Sequence, residues 1–346
     1  MIPASKMRTT EYPEHTEGKS FEKQPPDPEK VDGLNFTSSS FSVCSGYSVV
    51  PISTSRKMRA MPRFRSVLLH SALASATLLT ISCVTQPVSF GASQPTAVKA
   101  RHTLVRDIVY TPADWPAPVM GDLYRPATAR PAPAVLLVHG GGWTGKDGRW
   151  QMNPIAKKLA KRGYVVLNVT YRLAPRWIYP APVEDLKQAL RWMRTNAADA
   201  GIDPQRIAVY GYSAGGYLAA LTAMDEATQI RAIVAGGAPS DLTLYPGGDL
   251  VPQFLGGRKH EIPERFYEAS PVNHVTRKTP PVFLYHGGAD RLVPPEHAWE
   301  FKAALERNQV PHELYWIEGR DHIAAFLLPG RSVDLAVDFL DRSLAR

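Results

Sequence analysis

Short apolar runs, rich in β-branched residues, recur along the chain from residue 101 onward. They are hydrophobic at successive positions, so both faces of the corresponding strands are expected to be buried, as in a parallel sheet. The predicted strands are Ala134–Val138, Val165–Val169, Ile207–Tyr210, Ala232–Ala235, Val282–Tyr285 and Leu314–Ile317.

Segments with helical periodicity separate these runs. Pro182–Ala197 places apolar residues three and four positions apart, with Pro182 in the first turn, where a helix tolerates proline. Ser332–Leu344 repeats the pattern. The alternation predicts an α/β domain over 101–346, with a mostly parallel central sheet and helices on both faces. Segment 241–278, rich in Gly, Pro and aromatic residues, breaks the rhythm and is predicted to be a small insertion over one edge of the sheet.

The N-terminal part of the chain has a different character. Segment 1–57 mixes Pro, Ser, Glu and Lys without periodicity, a composition that buries too little apolar surface to fold, so disorder is expected. Segment 58–92 begins with arginines, continues into the apolar run Val67–Ile81 and ends in small residues, which predicts a signal peptide and a linker. We therefore expect the protein to be exported, either to the bacterial periplasm or as a membrane-anchored lipoprotein. Segment 1–57 is interpreted as a spurious upstream extension, with translation starting at Met58 or Met61.

Two processing sites are compatible with such a leader. Leu79–Cys83 resembles a bacterial lipoprotein cleavage box, in which a lipidated Cys83 would attach the protein to a membrane, although Thr80 stands where Leu is usual. Cleavage after Gly91 would instead release a soluble periplasmic protein.

Composition narrows the range of partners. The 346 residues are 44% hydrophobic and 21% charged, which is typical of a globular protein. The net charge is +8, but the basic residues of the predicted domain are interspersed with acidic ones, so no nucleic-acid partner is expected. The two cysteines, Cys44 and Cys83, precede that domain, which excludes a disulfide scaffold and a Cys-based zinc site there. No metal or other cofactor is expected, and the oligomeric state is left open.

The first candidate for chemistry is Gly211–Gly216, which follows a predicted strand and precedes the helical Tyr217–Met224. Its G-x-S-x-G pattern is typical of a nucleophile elbow, in which Ser213 sits on a turn too tight for side chains at Gly211 and Gly215. The helix that follows would direct its N-terminal amides towards developing negative charge.

The second candidate is His139–Trp143, at the end of the strand Ala134–Val138. Consecutive glycines let a loop turn its amides towards a bound oxyanion. Residues Gly140–Lys146 also fit the G-x-x-x-x-G-K pattern of a phosphate-binding loop, but Asp147 stands where a magnesium-binding Ser or Thr is needed. We therefore favour the oxyanion interpretation and expect His139 to brace the loop.

The third candidate is the pair Asp290 and His322, each of which follows a predicted strand. A serine hydroxyl becomes a good nucleophile when a histidine accepts its proton and a carboxylate orients that histidine. Ser213, Asp290 and His322 occur in the order serine, acid, histidine that accompanies this elbow. Asp321 is too close to His322 in sequence to reach its ring, and Asp241, after the preceding strand, is the alternative acid.

With these motifs the chain resembles the α/β-hydrolase superfamily, and within it serine carboxylesterases of the hormone-sensitive-lipase and BD-FAE-like type. The resemblance covers about 101–346. It implies that Ser213 is the nucleophile, His322 the base and Asp290 the orienting acid, and that the amides of Ala214 and of Gly141 or Gly142 form the oxyanion hole. The segments that carry it are His139–Trp143, Tyr171–Pro175, Pro182–Asp185, Gly211–Gly216, His286–Pro294 and His322.

The function expected from this resemblance is hydrolysis of carboxylic esters, with small or short-chain acyl groups, through an acyl-enzyme. The partner is then a small-molecule ester substrate. Two alternatives stay open: an amidase or peptidase of the same fold, because the same machinery cleaves both bonds, and a non-catalytic binding protein with a hydrolase fold.

Overall fold

The computed structural model describes residues 102–127, 131–225, 230–245 and 247–345, which all belong to one compact unit. The predictions for 1–57 and 58–92, including those for Cys83 and Gly91, lie outside the described residues. Within the described ranges, no helix is long and apolar enough to cross a membrane.

The described residues form an eight-stranded sheet. The strands are β1 (His102–Val109), β2 (Met120–Pro126), β3 (Ala132–Val138), β4 (Val165–Val169), β5 (Ile202–Tyr212), β6 (Ala232–Gly236), β7 (Val282–Gly287) and β8 (His312–Ile317). Their order in the sheet is β1-β2-β4-β3-β5-β6-β7-β8. β2 pairs antiparallel with both β1 and β4, and the remaining neighbours are parallel.

Helices connect the parallel strands. The α-helices are α1 (Arg149–Arg162), α2 (Ala181–Thr195), α3 (Ala197–Ala200), α4 (Ala214–Asp225), α5 (Leu250–Leu255), α6 (Pro263–Glu268), α7 (Glu296–Arg307), α8 (His322–Leu327) and α9 (Ser332–Ser343). Two short 3-10 helices cover Leu242–Leu244 and Pro271–His274.

The sheet separates two apolar cores. Along β3, Leu136 and Val138 face a core shared with α2, α4 and α7, while Val135 and Leu137 face a core shared with α1 and α9. Because both faces of the central strands are covered, these strands are apolar at successive positions. The predicted α/β class, with a mostly parallel sheet and helices on both faces, is confirmed.

The six predicted strands are present, and β5 begins five residues earlier than predicted, at Ile202. The N-terminal hairpin β1–β2 was not predicted because β1 is an edge strand whose side chains are mostly exposed or half-buried, so it lacks an apolar run. Helix α1 contains Pro154 in its interior, which weakens the helical signal.

The predicted insertion at 241–278 connects β6 to β7 and contains α5, α6 and the two 3-10 helices. It packs against α4 and against Trp143 in the loop that follows β3. The ring of Phe254 stacks on Trp143 and meets the edge of Tyr217, and the Tyr217 hydroxyl donates to the carbonyl of Ala269. The insertion therefore supports the loop that follows β3.

Candidate active site

Ser213 is the single residue between β5 and α4. Its φ of 56° lies in the left-handed region that a non-glycine residue rarely adopts. The turn is held by two backbone hydrogen bonds: the Ser213 amide donates to the Gly236 carbonyl at 2.7 Å, and the Tyr217 amide donates to the Ser213 carbonyl at 3.0 Å. The serine hydroxyl is thereby presented at the carboxyl edge of the parallel strands.

The two flanking glycines of the turn are required by close backbone contacts. A Cβ on Gly211 would lie 2.2 Å from the carbonyl oxygen of Gly215, and a Cβ on Gly215 would lie 2.3 Å from that of Val138. No substitution at either position fits without moving the backbone. The spacing read from the sequence thus has a direct steric cause in the turn.

Three polar side chains from separate strand ends form one hydrogen-bonded chain. His322 Nε2 lies 2.8 Å from Ser213 Oγ, and His322 Nδ1 lies 2.6 Å from Asp290 Oδ2. Asp290 and His322 are buried, with 2% and 5% of their surfaces exposed. Because a carboxylate can only accept, Nδ1 carries the proton and Nε2 is left to accept from the serine hydroxyl. The structure therefore brings together all three residues predicted from the sequence.

The other acids considered near this chain have different partners. Asp241 accepts hydrogen bonds from the amide and hydroxyl of Thr243, at 2.8 and 2.7 Å, and so caps the 3-10 helix that follows it. Asp321 accepts from the amide of Ala324 at 2.8 Å and caps α8. The carboxylate in contact with His322 is that of Asp290.

The glycine loop after β3 lies beside Ser213. A Cβ on Gly140 would lie 3.2 Å from the Cβ of Ser213. Gly141 and Gly142 both adopt positive φ, at 110° and 61°, and their amides donate to no acceptor within the described part of the chain. Ala214 is the first residue of α4, so its amide has no acceptor within that helix.

His139 lies beneath this loop. It is fully buried, stacks on Tyr171 at 4.6 Å, and places Nδ1 2.6 Å from the Gly140 carbonyl and Nε2 3.2 Å from Thr170 Oγ1. Burial lowers its pKa, so the ring is neutral at pH 7. Asp147, which argued against a phosphate loop, forms an ion pair with Arg149 at 2.7 Å.

Ser213 opens into a cavity of about 310 Å³. The glycine loop forms one wall and His322 another, and the remaining lining consists of mostly apolar side chains together with Gln151 and Tyr212. A second depression, of about 460 Å³, adjoins the first and shares His322, Leu292 and Ile323 with it. The apolar residues of the first cavity include Trp143, Pro239, Leu250, Leu292, Ile323 and Phe326.

Two residues of the site lie in the motifs recognised in the sequence but were given no role there. The Tyr212 hydroxyl donates to the His322 carbonyl at 2.7 Å, and its ring packs 5.2 Å from the imidazole. The buried His286 lies 3.5 Å from Asp290 through Nε2. Only the short spacing of His286 before Asp290 could have drawn attention to it. Among the described residues, no group of three or more His, Cys, Asp or Glu side chains is arranged to hold a metal ion.

Comparison with known protein families identifies the family to which this chain belongs. The BD-FAE family profile matches residues 121–305, which is more than half of the chain and runs from within β2 to within α7. The chain belongs to the BD-FAE family. The match contains Ser213 and Asp290, and His322 lies beyond it.

Individual relatives agree with this family. The esterase LipQ of Mycobacterium tuberculosis is 35% identical over 197 residues, covering 52% of this chain and 47% of LipQ. The esterase LipC of the same organism is 32% identical over 237 residues, covering 61% of this chain and 58% of LipC. The chain thus spans about half the length of the curated relatives that it matches.

A solved structure, described as a bacterial heroin esterase, superposes with a TM-score of 0.60 at 28% identity, covering 74% of this chain and 87% of that one. A truncated carbohydrate esterase from gut microbiota gives a TM-score of 0.66 at 21% identity, over 72% of this chain and 98% of that one. The latter likeness shows the α/β-hydrolase fold.

Proposed function

We propose that this BD-FAE family member is a serine carboxylesterase that hydrolyses esters with small acyl groups through an acyl-enzyme. The observation that carries the proposal is the hydrogen-bonded chain from Asp290 through His322 to Ser213 Oγ, which ends at the wall of a cavity. The esterase names of LipQ and LipC favour an ester over an amide as the substrate.

Each group in the chain has a role in the first half of the reaction. His322 Nε2 takes the proton from Ser213 Oγ as the oxygen attacks the ester carbonyl carbon. The carbonyl electron pair moves to its oxygen, and the amides of Ala214 and of Gly141 or Gly142 stabilise that oxyanion. Collapse of the intermediate breaks the bond to the alcohol oxygen, which takes the proton from His322 and leaves Ser213 acylated.

Water completes the cycle. His322 takes a proton from a water molecule as its oxygen attacks the acyl carbon, and a second oxyanion forms at the same amides. Collapse releases the carboxylic acid and returns the proton to Ser213 Oγ. Asp290 keeps the proton of His322 on Nδ1 and stabilises the imidazolium that forms twice in each cycle.

The size of the cavity supports a small acyl group. Its volume of about 310 Å³ lies at the lower end of ligand pockets, and it must hold the ester carbon and part of the alcohol as well as the acyl chain. Leu250 approaches the glycine loop closely, because a Cβ on Gly142 would lie 3.1 Å from its side chain. A long acyl chain has little room between these residues.

The proposal is tested with p-nitrophenyl esters from acetate to decanoate, and with p-nitroacetanilide as the matching amide. We expect turnover of the acetate and butyrate esters, a fall in kcat/KM with longer chains, and little anilide cleavage. A fluorophosphonate probe should label Ser213, as located by peptide mass spectrometry. Faster cleavage of the anilide would favour the amidase alternative. Absence of both turnover and labelling would favour the binding-protein alternative.

We also propose that the enzyme is exported, since the leader pattern at 58–92 precedes a domain without cysteine. Stable attachment through Cys83 would need the several acyl chains of a bacterial lipoprotein, because one chain anchors weakly. Mass spectrometry of membrane and periplasmic fractions tests this. A lipid-modified N-terminal Cys83 supports attachment, an N-terminus at Ala92 supports a soluble form, and peptides from 1–57 on cytoplasmic protein contradict export.

A further inference from the structure

Asp290 is held by more than its contact with His322. Its Oδ1 accepts the amides of Leu292 and Val293, at 3.0 and 2.8 Å, so the side chain closes the turn that follows it. Its Oδ2 accepts from His322 Nδ1 at 2.6 Å, and His286 Nε2 lies 3.5 Å from the same oxygen. Two imidazoles therefore converge on one carboxylate oxygen.

The proton arrangement of His286 follows from its partners. Nε2 lies 2.8 Å from the Val293 carbonyl, which can only accept, so Nε2 carries the proton. That N–H donates to the Val293 carbonyl, and Asp290 Oδ2 lies 3.5 Å from the same nitrogen. Burial lowers the pKa of His286, so the ring is neutral and adds a dipole rather than a second positive charge beside His322. The indole ring of Trp316 packs edge-on at 6.0 Å and fixes the imidazole from the side of β8.

We propose that His286 is a positioning residue for the reaction, acting through Asp290, a role that rests on the proposed function. Its N–H fastens the turn from Asp290 to Val293 at the Val293 carbonyl, and the two amides of that turn fix the carboxylate. His286 thus sets the orientation of the Asp290 carboxylate relative to His322 Nδ1, although His286 itself does not line the cavity beside Ser213. Without His286 the turn loses the one side-chain donor to the Val293 carbonyl that the described residues provide.

The decisive measurement is a double-mutant cycle between His286→Leu and Asp290→Asn. If His286 acts through Asp290, His286→Leu alone lowers kcat for p-nitrophenyl acetate by ~10-fold or more and changes KM far less. A loss of this size is typical of residues that orient a reacting ligand. In the Asp290→Asn background the same substitution then has little further effect on kcat. Equal losses in both backgrounds would show a general structural role and overturn the proposal.

Two amide substitutions provide the rescue test and cover the case in which the leucine variant does not fold. Gln places its amide nitrogen near the position of Nε2, whereas Asn places it near Nδ1. We expect His286→Gln to recover kcat to within ~3-fold of the parent and His286→Asn to remain impaired. Equal activity of the two amide variants would contradict a role for the Nε2 proton.

His297→Gln is the matched control, because His297 is an equally buried histidine whose Nδ1 accepts the amides of Ser240 and Asp241 rather than contacting Asp290. We expect it to lower thermal stability without coupling to Asp290→Asn. A parent protein that hydrolyses no ester contradicts the proposed function, and the positioning role with it. A folded His286→Leu protein with full kcat contradicts the positioning role alone.

Discussion

Two buried carboxylates beside the carboxyl edge of the sheet, Asp185 and Asp290, have different partners. Asp185, on α2, accepts from the Arg172 amide at 2.7 Å, from Arg172 Nε at 2.8 Å and from Trp115 Nε1 at 2.7 Å. Asp290 accepts from two amides of its own turn and from His322. Both carboxylates are saturated with donors, so burial and hydrogen bonding alone do not distinguish a reactive acid from a structural one.

The difference lies in the partner. Arg172 has a guanidinium that donates hydrogen bonds and accepts none; it donates also to the Ala181 carbonyl and lies over the rings of Trp115 and Trp177. Burial raises the pKa of Asp185, and the hydrogen bonds from Arg172 and Trp115 oppose that rise. No proton can move along this pair. His322, in contrast, has a second nitrogen that faces a serine hydroxyl at a cavity wall.

The largest expected effect is that of Ser213→Ala. Alanine fits the elbow sterically, and the hydrogen bonds that hold the turn come from the backbone, so the fold should persist. Loss of the nucleophile should lower kcat for p-nitrophenyl acetate by a factor of about 10⁴–10⁶. The measurement is kcat together with thermal melting. Retention of more than a tenth of the parent rate would remove Ser213 from its role and leave both carboxylates structural.

The next effect separates the orienting acid from its alternative. Asp290→Asn keeps the shape of the side chain but disturbs the tautomer of His322, and we expect kcat to fall by about 10⁴. Asp241→Asn is the matched control, since Asp241 caps a 3-10 helix, and its kcat should stay within ~3-fold of the parent. A larger loss from Asp241→Asn than from Asp290→Asn would reverse the assignment of the acid.

Substitution of Asp185 is expected to lower the stability of the protein and not its activity. Asp185→Asn removes the buried counter-ion of Arg172 and leaves only the half-exposed Glu184, at 3.3 Å. The free energy of unfolding should therefore fall by about 3 kcal/mol, at the lower end of the loss expected for a broken buried pair. Asp249→Asn, in the exposed pair with Arg258, should cost less than about 1 kcal/mol. Denaturant titrations measure both. A folded Asp185→Asn protein with kcat reduced a hundredfold would show that the two carboxylates are not functionally separate.

The sequence was sufficient to predict that Asp290 lies close to His322, and insufficient to predict the contact of Asp185 with Arg172. Ser213, Asp290 and His322 each follow a recognisable apolar strand, and the parallel strands bring their carboxyl ends together, so spacing and order predicted their proximity. The ion pair of Asp185 with Arg172, and the contact of His286 with Asp290, depend on how a helix or a turn packs against its neighbours. No local pattern encodes that packing, just as the exposed strand β1 and the proline-containing α1 escaped prediction.

The smallest expected effect is on the pH dependence of stability, and it depends on a histidine close to Asp290 and not on Asp185. His297 lies on the Asp290 side, where its nearest charged or titratable neighbours are His286, Asp241, Glu296 and Asp290. Burial lowers its pKa to about 4 from an ordinary value of 6.5. Its Nδ1 accepts backbone amides from Ser240 and Asp241, so the folded state needs that nitrogen unprotonated.

The unfolded chain therefore binds a proton at His297 near pH 6.5, while the folded protein resists it until about pH 4. The stability that this ring contributes is complete above pH 6.5 and declines as pH falls towards 4, with a slope of at most ~1.4 kcal/mol per pH unit. His139 and His286 add to the slope in the same direction, because burial lowers the pKa of each.

Urea titrations between pH 7 and pH 4.5 should show a shallower decline for His297→Gln than for the parent. Identical slopes would mean that the pKa of His297 is the same in the folded and unfolded protein, and would contradict the lowered value.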